Sequence, residues 1–280
     1  MNIVLATLTA ITLNCSEIEN KLPEPKPQEA ELALEEIIKQ AKGEIFSLST
    51  GDIAEFMWNR YVKGDSVDFH EYGANPKSLT PIAALMPATI LVHSSASNQG
   101  QWSSLLKSFE KVGNLGPVFT LNYEDGDELA SLKQKILEVK ALYSSAGVDV
   151  VNINLVGHSL GGIAAAEYAF SPEMWVVGTH VAKVITIAAR LKNIANPIDT
   201  PFYAYAFPTL KHIESVFQRI EQNRALVELY TIAAANDWLV PAESSLVAAD
   251  EAHKAVVPEV GHVLVAQSII TNDLVIKFIR

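Results

Sequence analysis

Residues 150–162, VVNINLVGHSLGG, constrain this chain more than any other stretch. Val150, Val151, Ile153, Leu155 and Val156 read as a buried strand that stops at a glycine. Gly157-His158-Ser159-Leu160-Gly161 then matches G-x-S-x-G, and residues 163–168 (IAAAEY) continue as a helix of small side chains. A strand that turns at once into a helix lifts the side chain at the turn above the sheet edge. It also holds that residue, Ser159, in a strained backbone conformation. Glycines two positions before and after it leave room for neighbouring backbone to pass. The helix aims its free N–H groups and positive dipole end at whatever the serine attacks. The bare pattern arises by chance in roughly one chain in twenty of this length, so the flanking strand and helix carry the weight.

Around this junction the chain alternates strand and helix. Apolar strands are expected at 89–93 (TILVH), 118–122, 183–188 (KVITIA), 225–233 (ALVELYTIA) and 255–257. Helical spacing appears at 101–112, where Trp102, Leu105, Leu106 and Phe109 share a face, at 128–144 and at 264–279. The alternation specifies an α/β class, a doubly wound and mostly parallel sheet with helices on both faces and right-handed crossovers. Residues 88–280 form this domain. Within it, 190–224 is an insertion with an aromatic run at 201–208 (PFYAYAFP) and an amphipathic helix over 209–223. Such a segment either caps a site or packs its own loop down.

Upstream, 29–87 reads as a helical extension, with amphipathic helices over 29–42 and 52–63 and a loop over 65–87. Residues 1–28 combine an apolar stretch, Cys15 and a Pro-rich spacer, LPEPKP. An apolar stretch ending at a cysteine resembles a lipoprotein leader, although it has no early Lys or Arg. Two readings stand for it: an exported or cell-envelope protein, with or without a lipid anchor at Cys15, or a cytoplasmic protein with an N-terminal arm. The stretch is too short to span a bilayer.

Composition narrows the chemistry. A net charge of −11 without a basic run argues against nucleic acid as a partner. Seven histidines lie scattered without metal-ligand spacing, so neither a metal nor another cofactor is expected. The single cysteine excludes an internal disulfide framework.

A serine hydroxyl attacks well only when a general base lies within hydrogen-bond reach and a carboxylate orients that base. In a doubly wound sheet, both should stand on loops leaving the carboxyl ends of later strands. Asp237 follows the strand at 225–233, and His262 follows the strand at 255–257 with Gly261 freeing the backbone before it. The order Ser159, Asp237, His262 fits the strand-turn-helix architecture. Blander roles remain for both: a turn or N-cap aspartate, and a satisfied core histidine. Asp199, Asp250, His212 and His253 are less well placed, Asp250 and His253 lying in a helix-like run and His212 in the insertion.

From about residue 88 onward the chain resembles the α/β-hydrolase family, particularly its bacterial lipase- and esterase-like members. The resemblance rests on His93 followed by Trp102, GHSLGG at 157–162, NDWLVP at 236–241 and VGHV at 260–263. It implies an α/β-hydrolase fold acting on a small-molecule or lipid ester. Ser159 would be the nucleophile, His262 the general base and then acid, and Asp237 the residue fixing the tautomer of His262. The backbone N–H groups of Leu160 and Ser95 would form the oxyanion hole, and the side chain of His158 would point away from the Ser159 hydroxyl. One departure stands out: the family's usual His-Gly is here His93-Ser94. Either Ser94 adopts the needed backbone angles without trouble, or loss of the glycine restricts the loop and Ser94 or a side-chain hydroxyl shares the oxyanion role.

Overall fold

The computed structural model describes residues 73–95, 97–124, 126–194 and 208–280. The expected leader with Cys15 and its spacer, the two helices expected over 29–42 and 52–63, Asp199 and residues 201–207 of the aromatic run lie outside them.

Among the described residues, six strands form one parallel sheet: β1 (Ala88–Val92), β2 (Val118–Thr120), β3 (Val151–His158), β4 (Thr179–Ile187), β5 (Glu228–Ala234) and β6 (Lys254–Val257). Their order is β2-β1-β3-β4-β5-β6 and every adjacent pair runs parallel. The helices are α1 (Ser103–Val112), α2 (Glu128–Ser145), α3 (Leu160–Ala169), α4 (Leu210–Asn223), α5 (Ala242–Ser245) and α6 (Ile269–Ile279). Leu132, Ile136 and Val139 of α2, Ile163 of α3 and Val216 of α4 pack with Ile90, Val92, Ile153 and Leu155 on one face. Leu105 and Phe109 of α1 and Val275 and Phe278 of α6 pack with Leu91, Val156, Ile185 and Ile232 on the other. The division follows from handedness. The chain steps from β1 to β2 in one direction and from β2 onward in the other, so right-handed crossovers put α1 opposite α2, α3 and α4. The reversal leaves a crevice outside the carboxyl ends of β1 and β3, the usual ligand position in such sheets.

Three local findings refine the expectations. Strand β4 begins at Thr179, four residues before the expected Lys183, because the mixed sequence THVA pairs with β3. Ile153 faces Val181 and Asn154 faces Lys183, so Ala182 is an extra residue. That bulge puts Val181 and Val184, three apart, in the same face of the core. The expected helix over 264–279 divides into a 3-10 turn at Val265–Gln267 and α6, because Ser268 is extended (φ −65, ψ 135). The domain's packing also starts before Ala88. Ala74 and Ala84 are buried, and the Asn75 side chain donates to Thr120 Oγ1 (2.7 Å) and accepts from Thr120 N (2.9 Å) at the end of β2. Tyr143 of α2 donates its hydroxyl to the Met86 carbonyl (2.7 Å), and burial pushes that phenol's pKa up.

Candidate active site

Ser159 stands between β3 and α3 with φ 53 and ψ −120, a conformation that costs roughly 1–3 kcal/mol for a residue with a Cβ. The surroundings enforce it. Ser159 N donates to Ile187 O (2.9 Å), extending the ladder to β4, while Ser159 O accepts from Gly162 N (3.0 Å) and Ile163 N (3.1 Å). Each glycine of the turn is sterically required. A Cβ on Gly157 would lie 2.4 Å from Gly161 O, and one on Gly162 would lie 2.7 Å from the Ala189 Cβ. A Cβ on Gly161 would lie 2.2 Å from His93 O and 2.5 Å from Val92 O. The backbone of α3 therefore lies directly against the loop that leaves β1. We expect Gly161→Ala to destabilise the fold by at least about 1–3 kcal/mol in chemical denaturation, through overpacking. Because the same clash pushes the β1 loop from the serine, activity per folded molecule should fall as well. A variant of unchanged stability and activity would contradict this close contact.

The structure brings Ser159, Asp237 and His262 together. His262 Nε2 is 2.8 Å from Ser159 Oγ, and His262 Nδ1 is 2.7 Å from Asp237 Oδ2. The carboxylate can only accept, so Nδ1 carries the proton and Nε2 offers its lone pair to the serine. Asp237 Oδ1 accepts from Leu239 N (2.9 Å) and Val240 N (2.8 Å). The turn role and the histidine-orienting geometry are thus combined in one carboxylate, with a side chain only 1 % exposed. The two loops are stitched together by Ala235 N to Val257 O (2.9 Å) and Asn236 N to Val260 O (3.0 Å). The left-handed residue of the histidine loop is Glu259 (φ 61), two positions before Gly261.

The side chain of His158 has a partner that sequence did not suggest. Its Nε2–H donates to the backbone carbonyl of His262 (2.8 Å), and the two rings lie 5.1 Å apart. This buried contact fixes the backbone from which the His262 ring extends.

Opposite the serine, the loop after β1 is held from several sides. His93 Nδ1–H donates to Ser94 O (2.8 Å) and Nε2 accepts from Tyr123 N (3.3 Å), so the ring is a neutral Nδ1–H tautomer. It stacks on Tyr123 at 3.9 Å, and the Tyr123 hydroxyl donates to His93 O. Ser94 does not adopt a left-handed backbone, so the position does not require glycine. Its hydroxyl donates to Gln101 Oε1 (2.9 Å) and its N–H to the same oxygen (3.2 Å). The Ser94 hydroxyl is thus engaged by Gln101. Leu160 is the first residue of α3, where helix geometry supplies no acceptor for its N–H.

The competing residues have other roles. Asp250 caps the 3-10 turn Glu251–His253 by accepting from Ala252 N (2.9 Å), so the helix expected there is one short turn. His253 packs against the Tyr230 ring at 4.2 Å. His212 of α4 lies 2.9 Å from Glu167 Oε2, and Arg219 Nη1 lies 3.3 Å from Glu167 Oε1. These contacts fasten the described part of the insertion to α3, the helix that starts at the serine. Among the described residues, no three His, Cys, Asp or Glu side chains cluster to hold a metal. No helix among them is long and apolar enough to cross a membrane.

No family model and no curated protein matches the chain. Solved structures do match it. A truncated carbohydrate esterase from gut microbiota superposes with a TM-score of 0.52 at 17 % identity, over 69 % of this chain and 85 % of that one. The carboxylesterase CesB (YbfK) of Bacillus subtilis matches with a TM-score of 0.49 at 15 % identity, over 73 % and 85 %. A metagenome-derived lipolytic enzyme matches with a TM-score of 0.47 at 16 % identity, over 69 % and 93 %. With the strand order and crevice described above, the first of these similarities identifies the α/β-hydrolase fold.

Proposed function

We propose that the protein is a serine hydrolase that cleaves carboxylic esters through an acyl-enzyme intermediate. The observation that carries this reading is the continuous chain from Ser159 Oγ through the His262 ring to Asp237, closed by hydrogen bonds of 2.8 and 2.7 Å. Ser159 attacks the ester carbonyl while Nε2 of His262 takes its proton. The imidazolium then delivers that proton to the leaving alkoxide oxygen, releasing the alcohol. Water repeats the sequence on the acyl-enzyme: His262 takes one of its protons and passes it to the departing Ser159 oxygen, and the carboxylic acid is released and ionises in solvent. Asp237 holds the Nδ1–H tautomer throughout and stabilises the imidazolium. The N–H groups of Leu160 and Ser95 are assigned to the tetrahedral oxyanion, with the dipole of α3 aligned toward it.

The substrate class proposed is a small-molecule or lipid ester with an apolar acyl group. Wild-type protein should react with a fluorophosphonate probe, with the adduct mapping by peptide mass to Ser159. It should also turn over p-nitrophenyl esters in a chain-length series. Absence of an adduct on Ser159 would sink the hydrolase reading and leave a binding protein on a hydrolase fold. Labelling with no ester turnover across the series would redirect it to thioester or amide substrates.

A further inference from the structure

We propose that Gln101 is a positioning residue for the oxyanion hole: its side-chain oxygen anchors the backbone that carries the Ser95 N–H. This inference rests on the hydrolase reading above and names how that site is held.

The loop contains two successive peptide planes, joining His93 to Ser94 and Ser94 to Ser95. Because each peptide is planar and trans, fixing its carbonyl also fixes its N–H on the opposite side. The second plane is held by its carbonyl, which accepts from His93 Nδ1–H (2.8 Å), and this sets the direction of the Ser95 N–H. The first plane is held at both ends. Its carbonyl accepts from the Tyr123 hydroxyl, and its N–H donates to Gln101 Oε1 (3.2 Å). Gln101 Oε1 also accepts from the Ser94 hydroxyl (2.9 Å), so one oxygen grips both backbone and side chain of the residue between the planes. A serine where glycine is usual thus becomes a second handle on the loop.

The orientation of the amide is not arbitrary. A backbone N–H can only donate, so the atom facing Ser94 N must be the oxygen. The amide nitrogen is then buried and makes no hydrogen bond among the described residues. The oxygen is thus the atom through which the Gln101 side chain holds Ser94.

Gln101 is itself well anchored. It is fully buried, its N–H donates to Asn98 O (3.1 Å), and its carbonyl accepts from the Gln267 side chain. Gln267 lies five residues beyond His262, and its carbonyl accepts from Ser104 Oγ (3.1 Å). The same residue therefore references the oxyanion loop to the segment following the general base.

The test compares Gln101→Met, Gln101→Glu, Ser94→Gly and the Gln101→Met/Ser94→Gly double variant with wild type that labels on Ser159. Gln101→Met keeps the side-chain length and removes the acceptor. We expect its kcat to fall ~10²-fold, the scale of a small misplacement of a catalytic group, with KM changed less than ~3-fold. A boronic acid that mimics the tetrahedral state should lose affinity in parallel. The double variant should be no worse than Gln101→Met, since both changes break one contact. Gln101→Glu retains an oxygen facing Ser94, so it should keep most activity at low pH. Its activity relative to wild type should decline as pH rises and the new carboxylate ionises beside the developing oxyanion.

A folded Gln101→Met with kcat within ~2-fold of wild type, or fully additive effects in the double variant, overturns the inference while leaving the hydrolase reading intact. Should Gln101→Met fail to fold, Gln101→Glu decides: a ratio to wild type that is flat across pH overturns it. Wild type that neither labels nor turns over esters removes both readings together.

Discussion

Ser159→Ala is expected to lower kcat by ~10⁶-fold, leaving only what substrate binding and the oxyanion donors provide without a nucleophile. Alanine keeps the steric demands of the turn and removes one hydroxyl. The change therefore deletes the 2.8 Å contact with His262 Nε2 without relieving the φ of 53. Its thermal stability should stay close to that of wild type. Ser159→Gly should be equally inactive yet melt above the alanine variant, because glycine occupies this backbone without strain. Steady-state kinetics, probe labelling and thermal melts on the three proteins check these outcomes. An alanine variant retaining more than ~1 % of wild-type kcat would place the nucleophile elsewhere.

Asp237→Asn should lower kcat by ~10⁴-fold while leaving the fold intact, for a reason that this turn makes explicit. Oδ1 of Asp237 faces two donors, Leu239 N and Val240 N. Only an oxygen satisfies them, so an asparagine must direct its NH₂ at His262 Nδ1. The imidazole then has to present a lone pair at Nδ1 and move its proton to Nε2, which faces Ser159 Oγ. A protonated Nε2 cannot accept the serine proton. Every hydrogen bond of the turn survives, so the melting temperature should hardly change, while phosphonate inactivation slows in step with kcat. Asp237→Ala, by contrast, loses both turn contacts and should be measurably less stable. Turnover by Asp237→Asn within ~10-fold of wild type would reduce Asp237 to a turn residue.

The turn at Ser159 was legible because two strong local signals coincide in residues 150–162: an apolar run of strand length, and glycines at the spacing a tight strand-to-helix turn needs. Asp237 and His262 were legible by position, each just past a strand in a sheet whose chemistry gathers at one edge. Other features depend on contacts that one-dimensional patterns do not carry. Thr179 and His180 look like loop residues, yet they pair with β3 because the bulge at Ala182 re-phases the strand. The binding of Ser94 to Gln101 could not be read from the His93-Ser94 dipeptide, since it needs a side chain seven residues on to fold back over the loop. Gln267 reaches Gln101 across 166 positions, and no short motif encodes that meeting. The bond from His158 to the His262 carbonyl spans 104 positions. Asp237 shows why a choice between two roles can be misplaced: one carboxylate oxygen accepts from the turn amides while the other lies against His262 Nδ1.

The strand order has a kinetic consequence. Strand β1 has β2 on one side, but its other neighbour is β3, which enters the sheet only after α2 has been traversed. Parallel pairing of this kind closes large loops before any contact repays them, so folding is slow compared with a helical protein of equal length. Ser159 and His262 are 103 positions apart, and the histidine loop follows β5 and β6 on the far side of the sheet. Strands and helices can therefore be nearly complete while the Ser159 hydroxyl still lacks its contact with His262. Regained turnover during refolding would mark the last docking event, when the final loop closes over the first half of the sheet.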